Sequence, residues 1–332
     1  MTLTLTVDEP AWRHHVQGMF ERLGPRLIPV VKGNGYGLGR RILAELSIDL
    51  GRAHSTSADV SVGVRMGVGV GTVYELADLG DVAANELIVL TPTLDEHLDG
   101  LPSQTVLTVG SRPQIRHLVD CEWSGAVVVK VASSMLRHGL TPGELASHCD
   151  LLSHLNVIAY AIHPPLAGTS GDHRAEIAAL VGELPPGEVQ ISHVAVDDFE
   201  GLVAGHPERT WRLRLGTALW HGDRSWLQLS TVVLDVRPVS SGQPVGYRLV
   251  EAPGDGHLVI VGAGSVHGVV PLPDGRSPFH FARRRLAMIE PPHMHVAMLH
   301  VPTGDPCPEV GDVVDVQRPL ISVDPDQVVW AS

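Results

Sequence analysis

The chain has 332 residues, 44% of them hydrophobic and 18% charged, with a formal net charge of −13. That acidic balance excludes nucleic acid and an anionic membrane surface as partners, because both call for a basic face. The length predicts about two domains. Cys121, Cys149 and Cys307 are widely spaced with no CxxC pattern, which excludes a disulfide framework. The absence of a leader-like start or a long apolar run predicts a cytoplasmic protein without a membrane span.

In chain order, β-branched runs fall at residues 27–31, at 61–64 or 68–70, and at 86–90, 105–109, 126–131, 157–162, 189–194 and 211–215. Between them, residues 72–79, 112–119, 141–152 and 173–184 carry apolar side chains at helical spacing. Regular alternation of this kind predicts parallel strands joined by crossover helices, and a count near eight predicts a (β/α)8 TIM-type barrel over residues 1–226. Helical periodicity then disappears. Residues 227–332 are rich in Val, Gly and Pro and predict a smaller, mostly-β domain.

The chemistry-bearing residues sit at predicted strand ends. The run Arg26-Leu27-Ile28-Pro29-Val30-Val31-Lys32-Gly33-Asn34-Gly35-Tyr36-Gly37-Leu38-Gly39 ends a strand in a lysine and turns on glycines. At the C-terminal mouth of a barrel a lysine can be desolvated, which frees its amine for imine formation. This string resembles the lysine signature of alanine racemases, roughly Val-Val-Lys-Ala-Asn-Ala-Tyr-Gly-His-Gly. Gly33 and Gly35 stand for its alanines and Leu38 for its histidine. The resemblance implies that Lys32 forms the Schiff base with pyridoxal 5′-phosphate (PLP) and acts as one catalytic base, and that Tyr36 reaches the cofactor phosphate.

Further segments are similar to that family in register. Lys130, Met135, Arg137 and Gly139 match its Leu-Lys-Val-Asp-Thr-Gly-Met-Gly-Arg-Leu-Gly pattern. Ala132, Ser133 and Ser134 depart from it. The resemblance implies that Arg137 orients the substrate carboxylate and that Lys130, carbamylated in some members, orients that arginine. His163 ends the strand Ala159-Tyr160-Ala161-Ile162 and by resemblance hydrogen-bonds an arginine beneath the PLP ring. Ser192 and His193 occupy the slot of a phosphate-binding Asn-Ser pair, where His193 would act as a cation. Arg214 aligns with the arginine that faces the pyridine nitrogen. A guanidinium keeps its proton, so the ring nitrogen stays unprotonated and the cofactor is a weaker electron sink. Gly216 and Thr217 would give backbone amides to the phosphate.

In the second domain, Pro244-Val245-Gly246-Tyr247, the segment 290–299 with Met294, and Gly311-Asp312-Val313-Val314 resemble family segments. The family segment around that Met binds substrate carboxylate from the partner subunit. The main departure is at Val261-Gly262-Ala263-Gly264-Ser265-Val266-His267-Gly268. Ser265 stands where the family has its tyrosine, the second base. A serine hydroxyl has no useful proton affinity near neutral pH. His267, His293 or His295 would have a suitable one. The family also continues past the position of Ser332 with a further tyrosine-bearing strand. No dinucleotide fingerprint is present, and His293-x-His295 lacks the further ligands of a metal site.

The resemblance therefore implies a homodimeric, PLP-dependent amino-acid racemase or epimerase whose sites are shared between subunits, with Lys32, Ser265 and His267 at the catalytic positions. Two alternatives follow from Ser265: a single-base PLP enzyme acting on another amino acid, and a PLP-binding homologue without turnover.

Overall fold

Short runs of Val, Ile and Leu bounded by Gly and Pro favour extended backbone, and runs apolar on both faces favour a parallel sheet covered on both sides. The computed structural model, which describes residues 2–54, 66–95 and 98–332, has this arrangement. Among those residues, eight parallel strands form one sheet: Leu27–Pro29, Gly67–Val70, Glu86–Val89, Thr105–Val109, Ala126–Val131, Asn156–Ile162, Glu188–Ile191 and Thr210–Leu215. From Gly67–Val70 onward each pairs with the next in chain order, and Thr210–Leu215 returns to pair with Leu27–Pro29, setting Ile28 beside Arg214. Val30 bridges Gly69, and the Val31 N–H donates to the Gly69 carbonyl over 2.8 Å, which closes the barrel.

The barrel interior is layered. Ile28, Ile88, Val106, Val128, Ala159 and Ala161 form a buried apolar cluster. A polar layer also crosses it: Arg212 Nη1 lies 2.6 Å from Glu86 Oε2 and 3.7 Å from Glu188 Oε1. Gln190 Nε2 donates to Glu188 Oε1 over 2.9 Å. Gly67 makes room for this layer, since a Cβ there would lie 2.9 Å from Arg212 Nη2.

The predicted strands emerge close to their expected bounds. At the second strand the 68–70 alternative is extended, while 61–64 lies outside the described residues. Two helices differ from expectation. Residues 72–79 form two 3₁₀ turns, Val73–Glu75 and Ala77–Leu79, because Gly80 at φ +60° ends the segment and Glu75 folds back onto the Gly71 N–H at 2.6 Å. Residues 141–152 break at His148 into Pro142–Ser147 and Cys149–Leu152. Thr141 and Thr169 close capping boxes with Glu144 and Asp172, which satisfies the first amides of their helices.

The chain divides into two compact units. One holds residues 16–35 and 39–220; the other holds residues up to 15, 36–38 and 221–332. The second unit is antiparallel for the most part. Its long strand Leu227–Val239 pairs with Leu3–Asp8 and, with a register shift between Val233 and Asp235, with Gly256–Val261 from Val233 to Val239; Gly256–Val261 pairs in turn with Ala297–Pro302. Leu3–Asp8 also pairs in parallel with Gln327–Ala331. Asp326 ties this edge together by accepting from Thr2 N at 3.0 Å, Thr2 Oγ1 at 2.6 Å and Leu3 N at 2.8 Å. Among the described residues no helix is long and apolar enough to cross a membrane.

Candidate active site

In a parallel barrel every strand ends on one rim, and residues at those ends face one another. In the barrel unit, Lys32 follows Leu27–Pro29, Lys130 lies near the end of Ala126–Val131 and Arg137 in the loop after it. His163 follows Asn156–Ile162, Ser192 and His193 follow Glu188–Ile191, and Arg214 precedes Gly216 and Thr217 at the end of Thr210–Leu215.

The backbone that carries Lys32 is fixed from both sides. Val30 N–H donates to Leu215 O over 2.8 Å, and the Val30 carbonyl accepts from the Trp220 indole at 2.7 Å. Beyond the lysine the chain turns through Gly33 and Gly35, both at positive φ. A Cβ on Gly35 would lie 2.3 Å from Arg40 N, so the turn has no space for the alanine of the resembled signature. Glu75 clamps the loop by accepting from Gly33 N at 3.1 Å. Arg40 reaches the Gly33 carbonyl from Nε at 3.1 Å. Nothing local in the sequence marks Glu75 for this work, since its partner lies 42 positions upstream.

The electrostatics of the rim are strongly positive. Desolvation lowers the Lys32 amine below its ordinary value, and the Arg137 and Arg214 charges lower it further against the pull of Glu75. The side chain is open to water, which screens part of this. Lys130 is only 5% exposed. Burial, then Arg214, Arg137 and Lys32, bring its amine down to about 7. Arg214 is buried and lowered to about 10, by burial first and then by Arg137. Its Nη2 donates to the Ile162 carbonyl at 2.9 Å, while its buried Nε has no hydrogen-bond partner among the described residues. A cluster of cations in which a buried donor is unspent suits a ligand that brings negative charge and an acceptor.

His163 and Ser192 form a pair, with Ser192 Oγ 2.5 Å from His163 Nδ1. Burial, then Arg214 and His193, push the His163 ring far below its ordinary range, so it is neutral. Ser133 Oγ donates to the His163 carbonyl at 2.8 Å. His163 meets Ser192 rather than an arginine; Arg214 reaches the backbone one residue earlier, at Ile162. His193 takes φ +61°, packs 4.4 Å from the His163 ring and donates Nδ1–H to Pro164 O at 2.9 Å. Burial shifts it toward the neutral form, which disfavours the cation expected there. Gly216 accepts from Leu219 N and Trp220 N at 2.9 and 3.0 Å and so opens a helical turn, with Thr217 exposed beside it.

The other predicted residues belong to the second unit. Tyr36 is buried at φ +58°. Its carbonyl accepts from His221 Nε2 at 2.7 Å, and its ring meets His221 edge-on. Ser265 is exposed on the turn Ser265–His267. His267 is buried; its Nδ1 accepts from Gly264 N at 3.0 Å and its Nε2 stands 3.4 Å from Asp326 Oδ1. Met294 is exposed on the neighbouring loop. That loop also holds a feature absent from the sequence reading: the buried Glu290 carboxylate, which binds His293 Nε2 at 2.6 Å.

A family model described as the alanine racemase N-terminal domain matches residues 7–222. No curated protein matches the chain in sequence. Among solved structures, alanine racemase from Bartonella henselae with covalently bound pyridoxal phosphate is similar, with a TM-score of 0.73 at 17% identity over 100% of both chains. The biosynthetic alanine racemase from Pseudomonas aeruginosa has a TM-score of 0.68 at 19% identity over 99% of both chains. Alanine racemase from Bacillus anthracis with bound L-Ala-P has a TM-score of 0.69 at 17% identity, covering 99% of this chain and 87% of that one.

Proposed function

The chain belongs to the alanine racemase family, and from that premise we propose that it is a PLP-dependent racemase or epimerase of a small amino acid. The observation that carries the reading is the set of cations on the barrel rim: the lowered Lys32 amine feels Arg137 and Arg214, and Arg214 keeps a buried Nε without a hydrogen-bond partner among the described residues. A cofactor with an aldehyde, a ring nitrogen and a phosphate fits that donor set. Lys32 supplies the amine that holds it covalently. Arg214 would face the ring nitrogen, and Ser192, Gly216 and Thr217 would hold the phosphate. When bound, PLP draws electrons from the substrate Cα and so acidifies its proton.

The chain's own residues do the rest. Arg137 offers a planar pair of donors to the substrate carboxylate, and Lys130, buried and electrostatically linked to it, is the group that tunes that arginine. Lys32, its amine lowered below its ordinary value first by desolvation and then by the Arg137 and Arg214 charges, is the group that takes and returns a proton on its own face of the substrate. Arg214, a donor that keeps its own proton, would face the ring nitrogen of the cofactor and temper its electron-withdrawing power. We propose that two copies complete each other's sites, the second unit of one serving the barrel of the other.

The test is a spectrum and a mass. Purified protein with PLP should absorb in the visible, borohydride should fix the cofactor on the peptide carrying Lys32, and Lys32→Ala should abolish both. Deuterium exchange at Cα across a panel of amino acids of both configurations then identifies the substrate. A protein that takes up no cofactor, or takes it up equally without Lys32, defeats the proposal. Ser265 favours a second reading, an enzyme that exchanges the proton on one face only; exchange with retention of configuration would establish it.

A further inference from the structure

The second unit contains an imidazole prepared for proton transfer that no sequence motif accounts for. Glu290 is 6% exposed and accepts from three donors: Tyr247 N at 2.9 Å, Arg248 N at 3.2 Å and His293 Nε2 at 2.6 Å. The carboxylate enters this pocket of amides only because residue 246 is glycine. Gly246 has φ +75°, and a Cβ there would lie 2.1 Å from Glu290 Oε1. Burial raises the Glu290 pKa, but the bonds from His293, Tyr247 and Arg248 outweigh it and leave the carboxyl below its ordinary value.

An ionised carboxylate only accepts hydrogen bonds, so His293 Nε2 must carry the hydrogen. The tautomer that carries this hydrogen leaves the lone pair on Nδ1, which has no hydrogen-bond partner among the described residues. Tyr247 stacks on the ring, with centroids 4.2 Å apart and planes 20° from parallel. A carboxylate that fixes the tautomer and a flat partner that fixes the plane are what a general base requires.

We propose that His293 of one copy, positioned by Glu290, is the second proton-transfer group for the barrel of the other copy, acting on the face of the substrate opposite that barrel's Lys32. The inference rests on the function proposed above. The backbone ties it to the departure at Ser265: Ser265 N donates to His293 O at 2.8 Å, Val266 N donates to Met294 O at 3.0 Å, and a Cβ on Gly264 would lie 2.3 Å from His293 O. The turn that lacks the tyrosine is thus docked on the loop that carries the imidazole. His267 is committed to Gly264 and Asp326 through both ring nitrogens. In the step itself the Cα–H bond breaks and an Nδ1–H bond forms on His293. The electron pair stays with the substrate, and Lys32 returns a proton to the other face. No oxidant or reductant is consumed.

Two measurements test this, one independent of turnover. Long-range ¹H–¹⁵N NMR of the protein without PLP should show His293 as the Nε2–H tautomer, and Glu290→Gln should redistribute it; an Nδ1–H tautomer in the parent overturns the proposal. With PLP in D₂O and a panel of amino acids of both configurations, the parent should exchange Cα–H of both enantiomers of its substrate. His293→Gln should slow exchange of one enantiomer by about 10²–10⁴-fold and spare the other, with Glu290→Gln doing so less severely. Equal loss, or no loss, for both enantiomers in a folded variant overturns the role of His293 alone. If His293→Gln does not fold, Glu290→Gln must show the same one-sided loss or the proposal fails. No exchange by the parent on any amino acid overturns the proposed function, and this role with it.

Discussion

The Trp220 indole N–H donates to the Val30 carbonyl over 2.7 Å, both groups being buried, and so anchors the backbone two residues before Lys32. The bond joins the segment after the last barrel strand to the end of the first. Removing the donor leaves a buried carbonyl without that partner, a loss of about 1–3 kcal/mol. Trp220→Phe keeps most of the apolar volume, so urea unfolding should read mainly this loss. A stability equal to the parent's would show that the bond does not hold the strand end.

The Ser192–His163 pair gives a second expectation. His163 is neutral because burial and Arg214 oppose its charge, so its Nδ1 depends on Ser192 Oγ, 2.5 Å away. Ser192→Ala should cost about 1–3 kcal/mol, the usual penalty for a buried polar atom left unpaired, in chemical denaturation at neutral pH. It should also broaden the His163 ring resonances, since the side chain loses its orienting contact. An unchanged midpoint together with unchanged ring resonances would refute the pairing.

Gly67 is a test of the barrel's polar layer. A methyl group there would lie 2.9 Å from Arg212 Nη2, 3.2 Å from Glu86 Oε2 and 3.2 Å from Ile88 Cδ1. Overpacking of a close-packed interior costs about 1–3 kcal/mol, and here it also strains the Arg212–Glu86 pair. Gly67→Ala should lower the unfolding free energy by that amount, while Gly100→Ala, which would meet nothing within 4 Å, should not. Equal effects at the two sites would mean the interior yields more than its packing implies.

Much of this architecture is legible in the chain because local and global preferences agree. The run ending in Lys32 is apolar for reasons of burial and stops at a glycine turn for reasons of backbone geometry, so strand, mouth and lysine are read together. The strand containing Arg214 is recognisable in the same way. What is not legible depends on distant partners. Leu3–Asp8 alternates like any half-buried strand, but nothing local directs it to residues 227–239 and 327–331. Glu75 and Glu290 look like ordinary surface carboxylates until the fold brings amides to them. The segment 72–79 has helical spacing yet yields 3₁₀ turns, because Glu75 is drawn back to the Gly71 amide.

Lys130 gives the expectation with the clearest dependence on pH. Its amine is brought down to about 7 from an ordinary 10.5, by burial first and then by Arg214, Arg137 and Lys32. Between those values the unfolded chain holds a proton that the folded chain has released, so stability rises with pH across that window. Below about 7 both states are charged, and the folded state bears the full cost of a buried ammonium among cations. Above 10.5 neither is charged and the cost is gone. Lys130→Met removes the titration at similar volume, and replacing an uncompensated buried charge by an apolar group is stabilising. In bicarbonate-free buffer, where the amine stays unmodified, the variant should therefore be more stable than the parent at pH 6, and the gap should narrow steadily toward pH 10. Groups distant from Lys130 act alike in both proteins and cancel in the difference, while His138 and His163, both lowered in part by Lys130, are relieved in the variant. Parallel stability curves over that range, or a parent more stable at pH 6, would show that Lys130 is not a strained cation in the folded barrel.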